Sequence, residues 1–462
     1  MWYNHCPQEV PMALSFRSTN RLSPAVSFRE AILRGQAPDG GLYMPDPVPV
    51  LSRDLISSFR HMSYAKIAAA VMQPFVAGSV SDEELESVCA EAYTFDVPVR
   101  QVEDGLFLLY LDRGPTASFK DFAARAMARF LGIFARQEKT SLTVLVATSG
   151  DTGGAVADAF CGVPEVEVVV LFPLAEVTER QRKQMTTLGG NVTAVAIEGK
   201  FDDCQELVKR AFSDPALAGL RLTSANSINV GRLVPQAVYY FFGASRLEAE
   251  SVSFSVPCGN FGNLMGGLLA SRMGLPVKRF IAAVNENDEF PRFLRSGVYA
   301  PVVPSRVCSS NAMNVGHPSN LARLVALYGG WMTDERDERG SVVRKGVVKE
   351  APDMERMRRD IASFSVSEEE VDDTIRRYFR QHGILLEPHG AVGVRAAEMA
   401  AVVPPVMCLE TADPWKFPEK IRELLGTDPP VPPHLAGMET RRESFATIGV
   451  EYDAFRSFLL KR

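Results

Sequence analysis

The chain has 462 residues, 46% of them hydrophobic and 23% charged, with a formal net charge of -6. This is the balance of an ordinary folded protein, and it excludes a disordered, fibrous or strongly basic nucleic-acid-binding chain. Seven cysteines stand without a C-x-x-C pair, so neither a metal site nor a disulfide framework is expected, and the odd count fits a reducing compartment.

Near the start, Phe28, Ile32 and Leu33 share one helical face, and Pro38-Asp39-Gly40-Gly41 marks a turn. Helical spacing returns over Tyr64 to Gln73 and Ser81 to Tyr93, the latter opening on the capped start Ser81-Asp82-Glu83-Glu84. Residues 1–95 therefore read as a mostly helical N-terminal domain, with 1–15 as an extension at its front. From residue 96 strand and helix alternate, the signature of a mostly parallel sheet covered on both faces. Leu106 to Leu111, Leu142 to Ala147, Val166 to Leu171 and Val192 to Ile197 read as strands, interleaved with helices over Asp121 to Ala135, Ala155 to Phe160, Thr178 to Leu188 and Phe201 to Phe212. A second α/β unit resumes near Asn226 with a helix over Val230 to Phe242, a strand over Val252 to Val256 and a helix over Gly262 to Met273.

The charge-dense segment Glu335 to Arg359 reads as a solvated loop followed by a helix. Thr427 to His434 reads as a Pro-rich linker, and Tyr452 to Leu460 as a last amphipathic helix. No apolar run approaches the roughly 18 residues that cross a bilayer. The first fifteen residues lack the basic start and apolar core of a signal peptide. A cytoplasmic location follows, with neither a membrane nor nucleic acid as partner.

Four motifs can carry chemistry. In Gly114-Pro115-Thr116-Ala117-Ser118-Phe119-Lys120-Asp121-Phe122 a lysine stands at the mouth of a helix between two aromatic rings. Alone it is an ordinary surface charge. Desolvated or crowded by other cations, an ammonium gives up its proton, and the neutral amine can form a Schiff base with an aldehyde. In Ser255-Val256-Pro257-Cys258-Gly259-Asn260-Phe261-Gly262-Asn263 a strand runs through a glycine-rich turn into a helix, an arrangement that aims backbone N–H groups at a phosphate. The turn lacks Gly-Lys-Ser/Thr and Gly-x-Gly-x-x-Gly, which weakens nucleotide readings. Thr148-Ser149-Gly150-Asp151-Thr152-Gly153 offers hydroxyls and donors to a carboxylate, with Asp151 expected as the helix N-cap. Thr223 to Arg232 leads polar groups into an apolar helix, and Arg232 forms a fork for an anion, a surface ion pair being the alternative.

Together these residues resemble the tryptophan-synthase β-like family of pyridoxal-phosphate enzymes, and within it the longer class of threonine synthases found in enteric bacteria and fungi. The likeness runs from about Phe16 to the C-terminus. It includes Thr187-Leu188-Gly189-Gly190-Asn191, Ser310 to Val315, Glu387-Pro388-His389-Gly390-Ala391 and Thr411-Ala412-Asp413-Pro414-Trp415-Lys416-Phe417. It implies a fold type II α/β architecture of two lobes with mostly parallel sheets. Residues 128–225 would be the smaller mobile lobe, and 96–127 plus 226–462 the larger.

It further implies that Lys120 binds pyridoxal 5'-phosphate covalently and acts as the catalytic base. Phe119 and Asn260 would flank the cofactor, Gly259, Asn260, Phe261, Gly262 and Asn263 would cradle its phosphate, and Thr411 would face the pyridine nitrogen. Ser149, Asp151 and Thr152 would hold the substrate's amino-acid end. Arg232 with Asn229 would hold its phosphate, Lys183 and the Ser310-Asn311 loop being further candidates. The implied reaction is γ-elimination of phosphate from O-phospho-L-homoserine with β-addition of water, giving L-threonine, in a monomer or weak homodimer. Cys258, Asn263 and Asp413 depart from the family's usual serine, aspartate and histidine, and Asp413 could alter the cofactor's electronics if it points inward. A dehydratase or β-replacement relative, and a non-catalytic phosphate-binding protein on the same scaffold, remain alternatives at this point.

Overall fold

The computed structural model describes residues 14–337 and 342–462. The extension expected over residues 1–15 lies outside them, apart from its last two positions. In the N-terminal region an antiparallel pair, Ser15–Ser18 with Tyr43–Asp46, is followed by helices Tyr64–Val76 and Asp82–Ala92. Ser81 closes a full capping box with Glu84, as its spacing promised, and Ser27 does the same with Glu30 for the helix Phe28–Arg34. These helices pack against the first turn of the helix Lys120–Glu138. The Phe122 ring lies 5.2 Å from Tyr64, 5.1 Å from Phe95 and 5.6 Å from Tyr239. The N-terminal region thus buttresses the helix that carries Lys120.

Two sheets make the α/β body. The larger has six strands in the order Ile361–Ser365, Val277–Val284, Val252–Pro257, Val406–Glu410, Leu106–Tyr110, Val99–Glu103. All neighbours are parallel except the edge pair Leu106–Tyr110 with Val99–Glu103. The smaller has five parallel strands in the order Ala446–Ile448, Val192–Ile197, Val166–Pro173, Leu142–Ala147, Leu222–Ser224. Their β-branched, fully buried residues, such as Val168, Val169 and Val170, are what a sheet covered on both faces demands. Among the described residues no helix is long and apolar enough to cross a membrane.

Three expectations need correction. The Glu335–Arg359 segment is not a solvated loop: Trp331–Arg336 and Val342–Glu350 form an antiparallel hairpin before the helix Met354–Asp360. Its apolar side chains are spaced among charges, which hid the strands. The helix expected over Val230 to Phe242 is broken into Val230–Leu233, a 3-10 turn Val234–Ala237 and Val238–Ser245, because Pro235 has no N–H to continue the α pattern. Residues counted with the larger lobe also cross to the smaller one. Ala446–Ile448 extends the five-stranded sheet, and Tyr452–Leu460 buries Phe455 and Leu459 in that sheet's core.

Candidate active site

In the larger sheet the strands Val252–Pro257, Val406–Glu410 and Leu106–Tyr110 are parallel neighbours. The segments that follow them therefore leave from one end of the sheet, where ligands of open parallel sheets bind. Those segments are the turn 258–263, the stretch 411–416 and the loop 111–120, so two of the four sequence motifs meet there, joined by the 411–417 segment of the family likeness.

The Lys120 loop is zipped to the 411–413 stretch. Phe119 N donates to Thr411 O at 2.9 Å, Asp413 N donates to Ala117 O at 3.0 Å, and Ser118 bridges Ala412. The loop's own turn closes through Asp121, whose carboxylate accepts from Thr116 N at 2.9 Å and Thr116 Oγ1 at 2.5 Å. Gly114 is required there, since a Cβ would lie 2.4 Å from Asp121 Oδ2. Lys120 Nζ emerges 4.6 Å from the Phe119 ring centroid and 3.8 Å from Asp151 Oδ2. Burial pushes the ammonium below the usual lysine range. Asp151 opposes this, Lys416 and Arg232 reinforce it, and Glu387 opposes it.

Asp151 opens the helix Asp151–Phe160 but does not cap it. Thr148 does that work, its Oγ1 accepting from Gly150 N at 2.9 Å and Gly153 N at 2.8 Å. The Asp151 carboxylate is instead a buried counter-ion: Oδ1 accepts from Lys416 Nζ at 2.9 Å and Gln181 Nε2 at 3.1 Å. Burial alone would raise its pKa, yet Lys416 and then Lys120 hold it well below the usual carboxylate range. Beside it, Ser149 and Thr152 are partly buried in the same turn.

The turn 258–263 has the properties of an anion cradle. Phe261 takes a left-handed backbone, φ +61°, just before the helix Gly262–Arg272. The N–H groups of Gly259, Asn260, Phe261 and Gly262 donate to no group of the described residues. A Cβ on Gly259 would stand 2.4 Å from the Ala312 carbonyl oxygen, so only glycine fits beneath that strand of chain. Asn260 is steered by Ser319, whose N and Oγ donate to its Oδ1 at 3.4 and 3.3 Å. Asn263 turns its side chain away, with Oδ1 accepting from Tyr239 and Tyr240 hydroxyls at 2.7 and 2.8 Å. Its Nδ2 is buried and has no partner among the described residues. The Cys258 thiol donates to Val256 O at 3.1 Å and is a core group.

Arg232 is buried, donates Nη1 to Ala225 O at 2.7 Å and leaves Nε without a partner. Among the described residues no carboxylate lies within ion-pair distance, and burial pushes the guanidinium down to about 10. A buried, uncompensated cation with a spare donor fits an anionic ligand rather than the surface ion pair that was the alternative. Asn229 does not share this freedom. Its amide donates to Ile32 O and Ser224 O and accepts from Gly231 N, capping the short helix Val230–Leu233. Lys183 is spent on Glu179 and the Glu439 carbonyl, and Ser310 Oγ accepts from Asn285.

At the far side, Thr411 Oγ1 donates to Glu387 Oε1 at 3.3 Å. Glu387 is fully buried and also accepts from His389 N, His389 Nδ1 and Gly390 N, capping the helix Pro388–Ala400. Nearby, Asp112 is pushed up to about 7 by burial, with Arg113 offsetting part and Asp413 and Glu387 adding to it. Asp413 itself caps the turn Pro414–Lys416, accepting from Trp415 N at 2.8 Å, and stands 3.8 Å from Arg113. Sequence reasoning missed Glu387, His389 and Lys416 as site residues. The available signal was that each is a titratable group inside a motif already singled out. Among the described residues no group of side chains could hold a metal ion.

Comparison with known proteins shows the family of the chain. A family profile described as pyridoxal-phosphate dependent enzyme matches residues 95–405. Profiles described as threonine synthase N terminus and threonine synthase, C-terminal, match residues 15–93 and 390–459. The chain is 38% identical to threonine synthase of Pseudomonas aeruginosa, over 96% of this chain and 98% of that protein. It is also 38% identical to that of Escherichia coli, over 89% and 91%. Among solved structures it is similar to the PLP-bound threonine synthase of Brucella melitensis, with a TM-score of 0.89 at 36% identity, covering 96% of this chain and 98% of that one. The Escherichia coli enzyme gives 0.85 at 35%, covering 97% and 99%.

Proposed function

From the premise that this chain belongs to the threonine synthase family of pyridoxal-phosphate-dependent enzymes, we propose how its own residues carry out the reaction. That reaction is the conversion of O-phospho-L-homoserine and water into L-threonine and phosphate, the last step of threonine biosynthesis. When bound, pyridoxal phosphate supplies a conjugated ring into which electrons from the substrate's Cα can be drawn.

The residues present fit that cofactor. The free N–H groups of the 259–262 turn and the absence of room for a Cβ at Gly259 suit a phosphate packed against backbone. Lys120 would be the covalent attachment point, and Phe119, Asn260 and Thr411 would hold the cofactor's ring. With cofactor and substrate bound, the Lys120 amine would take the proton from Cα and then one from Cβ, which would let phosphate leave from Cγ and water add at Cβ. Burial, with the cations Lys416 and Arg232, lowers this amine's hold on its proton and so favours the neutral form that can act as a base.

Ser149, Thr152 and the backbone at Asp151 hold the amino-acid end. The Asp151 carboxylate faces amines instead of the substrate's own carboxylate. Arg232 binds the leaving phosphate, and Asn229 holds the turn that aims it. A site built for a dianion rejects uncharged serine or threonine, because its donors would stay unpaired. The reading further includes a cytoplasmic monomer or weak homodimer with no nucleic-acid partner.

The observation that carries this reading is Lys120, partly buried against Phe119 and Asp151 at the same sheet end as the Gly259 cradle. Phosphate release from O-phospho-L-homoserine tests it, with threonine identified as product. The wild type releases phosphate, and Lys120→Ala slows release by at least about a thousandfold. Release by the variant at a wild-type rate overturns the reading.

A further inference from the structure

Lys416 is completely buried, and beyond the charge it adds near the Lys120 amine the reaction described above gives it no role. It comes from the 3-10 turn Pro414–Lys416, while Asp151 opens a helix of the smaller-sheet region and Lys120 opens another. The fold thus sets one carboxylate between two amines from distant segments: Lys416 Nζ is 2.9 Å from Oδ1, and Lys120 Nζ is 3.8 Å from Oδ2. We propose that Lys416 is a positioning residue for the anchoring lysine, which by occupying Asp151 leaves Lys120 to present an uncharged amine to cofactor and substrate. The proposal rests on the reading that Lys120 is the anchor.

The physical argument concerns who neutralises Asp151. A buried carboxylate is stable only when paired. With Lys416 and the Gln181 amide on Oδ1, that need is met without Lys120. Without Lys416, Lys120 would be the one ammonium beside Asp151 among the described residues, His389 being tied to Glu387, and an ion pair in a dry site holds its ammonium protonated. The other charges facing Lys120 do not substitute for this arrangement. Arg232 repels its proton whatever Asp151 does, and Glu387 is occupied by four donors from Thr411, His389 and Gly390. Facing Lys416 more remotely are Asp121, tied to Thr116, and Asp413, tied to Trp415 N. Asp151 alone joins the two amines. The turn bearing Lys416 is fixed to the Lys120 loop by the Asp413 N to Ala117 O bond, and Lys416 N donates to Asp413 O.

The test is trace labelling of the full chain with acetic anhydride from pH 6 to 11, after removal of cofactor, with acetylation at Lys120 read by peptide mapping. Recovery of stoichiometric pyridoxal phosphate on reloading establishes that each preparation is folded. Lys416→Met is expected to raise the Lys120 labelling midpoint by about one pH unit, a tenfold loss of free amine at a given lower pH. Asp151→Asn is expected to lower the midpoint. Adding Lys416→Met to Asp151→Asn is expected to move it by under about a third of the single-variant shift. Equal midpoints in Lys416→Met and wild type overturn the proposal, as does a full shift persisting in the double variant. Should Lys416→Met fail to fold, Asp151→Asn decides alone: a lowered midpoint supports the proposal and an unchanged one overturns it. Borohydride reduction of the wild-type holoenzyme judges the anchor separately, since a label away from Lys120 removes that reading whatever the midpoints show.

Discussion

The turn around Gly259 and the cluster around Asp151 both handle charge, and they do so by opposite means. The turn uses backbone alone: free N–H groups, a left-handed Phe261 and a glycine with no room to grow. The cluster uses side chains, Lys120, Asp151, Lys416, Arg232 and Glu387, drawn from segments up to 296 residues apart in sequence, from Lys120 to Lys416. A backbone cradle is charge-neutral and largely indifferent to pH, whereas a buried cluster balances several charges at once and shifts when one is removed. The difference predicts where variants act on cofactor holding and where they act on substrate and proton transfer.

Arg232→Ala gives the largest effect on the cluster side. Losing a buried cation that pairs with the substrate's phosphate is expected to cost about 2 to 5 kcal/mol in kcat/KM, mostly through KM, with pyridoxal-phosphate affinity unchanged. Steady-state kinetics alongside a cofactor titration checks this; an equal loss in both would merge the two regions.

Next comes Asp112, whose folded value of about 7 exceeds the ordinary carboxylate value. Because the folded-state value is raised, its stabilising contribution is full below about pH 4 and is lost as pH rises towards 7. Asp112→Asn is expected to remove about 2 to 4 kcal/mol of that slope. Urea unfolding at pH 4.5 and 7.5 compares the two proteins, and identical pH slopes would contradict the burial argument.

Gly259→Ala acts on the cradle. Its Cβ would meet the Ala312 carbonyl at 2.4 Å, and overpacking of this kind costs about 1 to 3 kcal/mol. The loss is expected in pyridoxal-phosphate affinity, measured by fluorescence titration, while KM for substrate in the loaded fraction stays near wild type.

The smallest effect lies outside both regions. Ser81→Ala removes a capping box and is expected to cost about 1 kcal/mol of stability, seen by thermal unfolding, with activity untouched.

The same contrast explains what could be read before the structure. The cradle was legible because strand, glycines and helix start are contiguous over Ser255 to Asn263, and the Ser81 cap because its partner is three residues away. Most of the alternating strands and helices of 96 to 273 were legible for the same reason, but Pro235 split one helix, and the strands Val99–Glu103 and Leu222–Ser224 were not read. Lys416 and Glu387 were quoted inside motifs without roles, since nothing local says that a lysine at 416 meets an aspartate at 151. Asp151 was read as a cap because that is what an aspartate at a helix start does when no buried amine is nearby. The Ala446–Ile448 strand was missed because three residues carry no period, and only pairing with Val195–Ile197 makes them a strand. The Trp331–Glu350 hairpin was hidden by its charges.

The claim on which the rest depends is that Lys120, and not its buried neighbour Lys416, bonds the cofactor. Reducing the holoenzyme with sodium borohydride and mapping the modified peptide tests it directly. The expected result is a pyridoxyl group on the peptide containing Lys120, with Lys416 unmodified; a label on Lys416, or on any lysine other than Lys120, would contradict the account.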